Sequence, residues 1–311
     1  MGTGSMHGTA LRYFMEVVRT GSIAEASIRL NVAGSAISRQ IGKLEADLGV
    51  ELFERRPRGM VPSQAGELLA RHARRTFLEA EAVAHDLQRL RGLATGVVRV
   101  AATEGFGMIL LPAAIRSFRE QHPGIRFELK VTAPGAVTRL VRGGDVDIGL
   151  TFTFAPEPDV RIIAAGRAQI VAVMARHHPL AARAALSLAE LASEPLALPE
   201  KDTTARQIFD IACGLAGVTV EPVLESNYIA GLWSFVEMGG GLTIASAFTV
   251  HTRSTQDRVA SVPITGPAVD QRRYEVQAML GRRLPDAAEA FAVHVIAAID
   301  ELLAAFPSPG D

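Results

Sequence analysis

A single cysteine, Cys213, stands in a chain of 311 residues. One thiol excludes an internal disulfide framework, a Cys-rich zinc site and a sensor that switches by a disulfide within the chain. Set between Ala212 and Gly214 in a helical stretch, it reads as a small buried apolar residue. No stretch reaches the roughly 18 apolar residues of a membrane helix. Residues 1–10 lack the cationic-then-apolar pattern of a signal peptide. The expected compartment is the cytoplasm, with no membrane partner. Catalytic signatures are missing as well: there is no G-x-S-x-G and no H-E-x-x-H. Gly239-Gly240-Gly241 lacks the phosphate-loop pattern and reads as a helix C-cap. His177 and His178 are adjacent before Pro179, without helical ligand spacing. Neither enzymatic activity, metal nor cofactor is expected.

What is present is ordinary for a globular chain: 48% hydrophobic and 21% charged residues, with length for two or three domains. The net charge of −1 is unevenly spread, at +3 over residues 1–92 and −4 over 93–311. A basic front and an acidic back point weakly to nucleic acid at one end.

Leu11, Phe14, Val17 and Val18 recur at helical spacing, and Thr20-Gly21 breaks the pattern. Ser22 with Glu25 fits a capping box for a short helix, about Ile23 to Arg29. After the Asn31-Val32 turn, a second helix runs about Gly34 to Leu48, with Ile37, Ile41 and Leu44 inward and Gly49 as its stop. Two short helices joined tightly are the pattern of a helix-turn-helix. Ser35, Ser38 and Arg39 share an outward face near the start of the second helix, the part that enters a major groove in this motif. Arg can bind guanine with both arms, and Ser can serve a base or a phosphate. A plain solvated helix face has the same look. Residues Glu51 to Pro62 then read as strand, basic tip and strand, with Arg55, Arg56 and Arg58 around Pro57, a wing suited to phosphates. Ser22, Ser35, Ser38, Arg39, Arg55, Arg56 and Arg58 are the candidate contacts to double-stranded DNA.

Leu11-Arg-Tyr-Phe14, Gly21-Ser22, Ala26, Leu30, Ala36-Ile-Ser-Arg-Gln-Ile41, Leu44-Glu45, Leu48-Gly49, Leu52-Phe-Glu-Arg55 and Gly66 run in unbroken spacing. In these residues the chain resembles the LysR-type transcriptional regulators. The resemblance implies a winged helix-turn-helix, a long linker helix that pairs with its copy, and a two-lobed effector domain. Two departures stand out. The family's Ser-Gln-Pro at the start of the recognition helix is replaced by Ala33-Gly34-Ser35, which removes a residue used for base contact and a cap. Ser27 replaces a usual Ala, so a hydroxyl lies against the helix pair.

Ser63 is a good N-cap for the long helix, with Glu67 in its first turn. Within it Leu69, Thr76, Val83 and Leu90 fall on one heptad position, and Ala73, Ala80 and Leu87 on another. A narrow apolar seam on a charged helix favours a partner helix over its own domain. A homodimer is expected, and a homotetramer through effector-domain contacts.

From Val97 the chain alternates strand and helix. Strands are expected at Val97–Ala102, Ile125–Val131, Val146–Phe152, Gln169–Ala175, Thr219–Leu224, Leu242–Ala245 and Tyr274–Leu280. Helices are expected from Leu110, at Pro134–Arg142, Leu188–Leu191, Thr203–Leu215 and Ile229–Met238, and at the closing Ala287–Phe306. The pattern predicts parallel α/β lobes joined by crossing strands, as in periplasmic binding proteins. The fold class is α/β, with domains at residues 1–66 (DNA-binding), 67–92 (linker and dimerisation) and 93–311 (effector-binding). Lobe I takes about 97–166 and 268–306, and lobe II about 167–267.

Ligands in such sheets sit beyond the carboxyl ends of the strands. That selects Thr103, Gly105, Phe106, Thr151 and Phe152 on one lobe and Thr203, Thr204 and Asn227 on the other. By resemblance Thr103 occupies the family's hydroxyl position, Gly105 stands where a second hydroxyl often lies, and Glu104 beside it opposes a carboxylate. The expected ligand is a small polar effector with an apolar part. The expected function is a DNA-binding transcriptional regulator modulated by that effector. The competing readings are a solute-binding protein or an α/β enzyme without a transcriptional role.

Overall fold

The computed structural model describes residues 8–56, 59–90, 96–154, 157–247, 249–250 and 258–305. Two compact units divide the chain, Met1–Ala84 and His85–Asp311.

The first unit opens with α1 (Thr9–Thr20), α2 (Ile23–Leu30) and α3 (Gly34–Leu48). Leu11, Phe14 and Val17 of α1, Ala26 of α2, and Ile37, Ile41 and Leu44 of α3 bury one common core. Ser22 caps α2 by accepting the Glu25 N–H at 3.4 Å. Of the expected capping box, this is the half in which the serine accepts. The Ser27 hydroxyl donates to the Val32 carbonyl at 2.7 Å and so ties the turn between the two helices. Ala33 leaves the start of α3 without a side-chain cap, and Ser35 does not replace it. A hairpin follows, β1 (Phe53–Arg56) antiparallel to β2 (Gly59–Pro62). Gly59 sits at φ +124°, where a Cβ would lie 2.5 Å from the Gly21 carbonyl oxygen. Only glycine lets the hairpin approach so closely, and the Met60 N–H donates to that same oxygen at 2.8 Å. The wing is thereby pinned to the α1–α2 turn. Helix α4 (Gln64–Leu90) begins where Ser63 accepts the Gly66 N–H at 3.1 Å.

The second unit holds two sheets. Lobe I orders its strands β4 (Ile125–Val131), β3 (Gly96–Ala102), β5 (Ile148–Thr153), β13 (Arg273–Met279) and β6 (Val160–Arg167). β3 runs parallel to β4 and β5, whereas β13 is antiparallel to both β5 and β6. Helices α5 (Glu104–Gly107), α6 (Leu110–Gln121), α7 (Pro134–Arg142) and α11 (Asp286–Ala305) belong to this lobe. Phe118 of α6 and Phe291 of α11 meet edge-on at 5.3 Å in its core.

Lobe II orders β10 (Leu224–Ser226), β9 (Leu196–Pro199), β11 (Leu242–Ser246), β7 (Ile170–Ala175), β12 (Val259–Thr265) and β8 (Leu186–Ser187). Its helices include α8 (Leu188–Ala192), α9 (Thr204–Ala216) and α10 (Ile229–Glu237). β9, β10 and β11 are parallel, and β7 is antiparallel to β11 and β12. Both sheets are therefore mixed, not parallel throughout. The strand expected at Thr219–Leu224 is confined to Leu224–Ser226, because Pro222 has no N–H to give a ladder. Strands β6, β8, β9 and β12 were not expected. Gly239 and Gly240 donate their N–H groups back to Val236 and Phe235, closing α10 as a C-cap.

A buried ion pair closes lobe I at its far end. Arg282 Nη2 donates to Asp147 Oδ1 at 2.9 Å, with both side chains under 4% exposed, at 2% and 3%. Asp147 Oδ2 also accepts the Arg99 N–H at 2.8 Å. Removing one member of such a pair strands the other charge in a dry interior. Asp147→Ala is expected to destabilise the second unit by about 3–5 kcal/mol. Urea unfolding followed by circular dichroism checks this, and an unchanged midpoint overturns it.

Candidate functional site

In the first unit, Ile37, Ile41 and Leu44 anchor α3 into the core. The helical period then leaves Ser35, Ser38 and Arg39 exposed along one row. Ser22 is half-buried at the start of α2, its oxygen engaged as the cap. Arg55 and Arg56 lie in β1, but their side chains fall outside the described residues, as does all of Arg58.

The expected seam on α4 divides. Leu69 and Ala73 are buried in the unit's own core, so they are not free for a partner. Thr76 is half-buried, and Ala80 and Val83 are exposed, Val83 at 58%. The side chains of Leu87 and Leu90 fall outside the described residues.

In the second unit, a cavity of about 330 Å³ lies between the lobes. The carboxyl ends of β3 and β5 meet it from lobe I, and those of β9, β10 and β11 from lobe II. Thr103, Gly105, Phe152, Thr203, Thr204 and Asn227 all line it. Phe106 and Thr151 do not. Phe106 is fully buried beneath Phe152, with ring centroids 4.5 Å apart. Thr151 is 1% exposed. Alternation along β5 turns it to the opposite face of the sheet from Phe152. It pairs there with Glu275, in a polar layer where Thr138 donates to Gln277 and Gln277 to Glu275.

The hydroxyls of the cavity differ in what they already do. Thr203 caps α9 by accepting the Arg206 N–H at 3.3 Å and donates to the Glu200 carbonyl at 2.9 Å. Thr204 accepts from Arg272 Nε at 2.9 Å. Thr103 makes no cap bond, and its Oγ1 is buried without a hydrogen-bond partner among the described residues. Thr243 Oγ1 and Ser246 Oγ, on β11, are buried and unpartnered in the same wall. A Cβ at Gly105 would lie 2.8 Å from Thr249 Oγ1, so a lobe II threonine fills the space that a side chain there would take.

Glu104 reaches across the cleft and accepts the Ile229 N–H at the start of α10, at 3.4 Å. Burial raises the pKa of its carboxyl, and the N–H groups of Ile229 and Ala230 partly offset this. Its charge is thus committed to a helix start. The residue that sequence reasoning missed is Arg272, in the segment that returns from β12 to β13. Its side chain is buried, its guanidinium carbon lies 3.6 Å from the Phe152 ring centroid, and its Nη1 has no hydrogen-bond partner among the described residues. Burial alone pulls its pKa down to about 9.

Residues 91–299 match the family described as LysR substrate binding domain, and residues 9–67 match the lysR family of bacterial regulatory helix-turn-helix proteins. The chain is 33% identical over 259 residues to the HTH-type transcriptional regulator YeiE of Escherichia coli, covering 83% of this chain and 86% of that protein. It is 27% identical over 296 residues to the HTH-type transcriptional regulator YybE of Bacillus subtilis, covering 95% and 100%. Among solved structures, a full-length OxyR cysteine variant from Pseudomonas aeruginosa shares the fold. Its TM-score is 0.67 at 20% identity, over 96% of this chain and 95% of that one. Among the described residues, no helix is long and apolar enough to cross a membrane.

The lone cysteine of this chain is buried on α9, in the core of lobe II. Burial, then the neighbouring Asp210, pushes the Cys213 thiol up to about 11. Near pH 8 the thiolate that reacts is scarce and covered. A thiol-reactive dye is expected to leave the native protein unlabelled while labelling it fully in denaturant. Stoichiometric labelling of the native protein on mixing sinks this expectation.

Proposed function

The chain belongs to the LysR family of bacterial transcriptional regulators, and we propose that it reads its operator through the exposed row of α3 and takes its effector in the cleft between its lobes. It is a DNA-binding regulator with an effector-binding domain, and its relatives are regulators, not enzymes. The observation that carries the reading of α3 is the row of Ser35, Ser38 and Arg39, held outward by a helix whose other face is spent on the core. Arg39 contacts a base edge in the major groove. Arg55, Arg56 and Arg58 of the wing, with Ser22 at the start of α2, contact phosphates. Residues 1–66 form the DNA-binding domain, 67–92 the linker and 93–311 the effector domain, the last divided as 97–166 with 268–306 and 167–267. The protein works in the cytoplasm, where its DNA is.

In the cleft, Thr103 is the first contact for the effector, because its hydroxyl is neither a cap nor otherwise engaged. Gly105, Phe152, Thr203, Thr204 and Asn227 line the same space. Phe106 and Thr151 act behind it, as packing. A ligand that favours one arrangement of the lobes shifts the population toward it and changes the spacing of paired DNA-binding domains.

Arg39→Ala is expected to cost about 1–3 kcal/mol of operator affinity and to relax specificity. Arg56→Ala and Arg58→Ala weaken binding to all sequences and flatten its salt dependence. Mobility-shift titrations on the DNA upstream of the chain's own gene, run at two salt concentrations, measure both. Unchanged operator affinity for Arg39→Ala shows that α3 is not the reading helix.

A homodimer forms along the outer part of α4, and dimers pair into a tetramer. Thr76, Ala80 and Val83, with Leu87 and Leu90 from the sequence pattern, supply the seam. Val83→Asp sets an unpaired charge into it and is expected to give monomers that bind DNA poorly. Light scattering that still returns the wild-type mass rejects the seam.

A further inference from the structure

Among the described residues of the second unit, three arginines are buried: Arg206, Arg272 and Arg282. Two of them have carboxylates. Arg206 Nε donates to Asp210 at 2.8 Å, and its Nη1 donates to Glu225 at 2.8 Å and to the Pro199 carbonyl at 3.0 Å. Arg282 has Asp147. Arg272 is 4% exposed and has no carboxylate partner among the described residues. Its contacts are a neutral hydroxyl on Thr204 and the face of Phe152. A buried guanidinium without a counter-charge is costly, and proteins rarely keep one without a use. This one lines the cleft, with Nη1 unspent.

The other unspent polar atoms of that wall agree with it. Thr103 Oγ1, Thr243 Oγ1 and Ser246 Oγ are hydroxyls that can donate, and none has a partner. Among the described residues, the acidic side chains that line the cavity are Glu104, Glu200 and Asp202. Glu104 is engaged at the start of α10, and Glu200 and Asp202 sit at a more open edge. Val131, Pro134, Ile229, Leu232, Trp233 and Ile244 make much of the remaining lining apolar. A cavity of about 330 Å³ is far larger than an inorganic anion needs.

We propose that the effector is a small organic carboxylate, whose carboxylate pairs with Arg272 and whose apolar body lies against the Trp233 side of the cleft. The proposal rests on the reading of this cleft as the effector site. It also gives Arg272 a second role. The residue touches Phe152 of lobe I and Thr204 of lobe II from the segment that joins them. A carboxylate drawn to it therefore acts on both lobes where they are linked.

Trp233 is the only tryptophan of the chain and lines the cavity, so its fluorescence reports on the cleft itself. The experiment titrates full-length protein with sodium benzoate, sodium hexanoate, their neutral amides and inorganic sulfate, at constant ionic strength. Trp233 emission and melting temperature are followed together. The expected result is a saturable change with the carboxylates and none with the amides. Melting should rise by roughly 2–4 °C at about five times Kd. Arg272→Met keeps the stem, loses the charge and is expected to weaken the carboxylates at least tenfold. Its ligand-free melting temperature should be equal to or above that of the wild type. Arg272→Gln, which retains a donor for Thr204, is expected to lose the same response. Both variants should keep operator binding. Amides that bind as well as acids, or carboxylate affinity unchanged in both variants, overturn the charge pairing and leave the cleft reading standing. Saturation by sulfate alone overturns the organic carboxylate in favour of an inorganic oxoanion. No response of Trp233 or of melting to any probe overturns the proposal.

Discussion

Strand β13 is hydrogen-bonded antiparallel to β5 along one edge and to β6 along the other, so the sheet of lobe I is continuous only through it. The chain reaches β13 from β12, which lies in the other lobe. That order of strands forces two passages between the lobes, one after β6 and one before β13. The passages are bonded to each other, the Ala168 N–H donating to the Arg272 carbonyl at 2.9 Å. The position of the cleft, and of the arginine within it, follows from that pairing. Arg272 is the residue immediately before the strand, and the register of β13 leaves its side chain no exit to solvent.

The two units make functional surface in opposite ways. In the first, the core claims one stripe of each helix, and the proposed recognition face is whatever the stripe leaves outside. Its polar groups are exposed and cost nothing to keep ready. In the second, polar groups are kept ready inside, where unpaired hydroxyls and a guanidinium are expensive. Such a cavity is completed by what enters it. The Arg206 network shows the contrast, since a similar guanidinium with two carboxylates serves only to fasten α9 to β10.

The helices were legible because their signals are local. Gly34–Leu48 is read from its apolar period and from Gly49, and the structure returns the same span. The strands of the second unit were harder. β6 is an edge strand with mixed burial, and its alternation is blurred. β12 contains Pro263, which argues against a strand, yet the proline falls near the strand's end, where it faces Val171. Mixed pairing was missed for the same reason, since without β6 and β12 the lobes look like simple alternating units. In the site, the rule of carboxyl ends found six of the cavity-lining residues, but it treats each strand end alike. It could not separate Thr103 from Thr203, whose hydroxyl is spent on a cap. Nor could it find Arg272: Gln271-Arg272-Arg273 reads as a charged turn, and only long-range pairing carries one of its members inside.

Lobe II enters at β7 and leaves at β12, and these strands pair with each other, Val171 facing Pro263. Its whole sheet is therefore encoded in one uninterrupted run between the two passages. Lobe I is not: its interior strand β13 and its covering helix α11 follow lobe II in the chain. On a ribosome that releases the chain from its N-terminus, the helical unit and lobe II can each be finished while β5 and β6 still wait with open edges for the strand between them. Of the two lobes, lobe I is the one that stays exposed longest in the newborn protein.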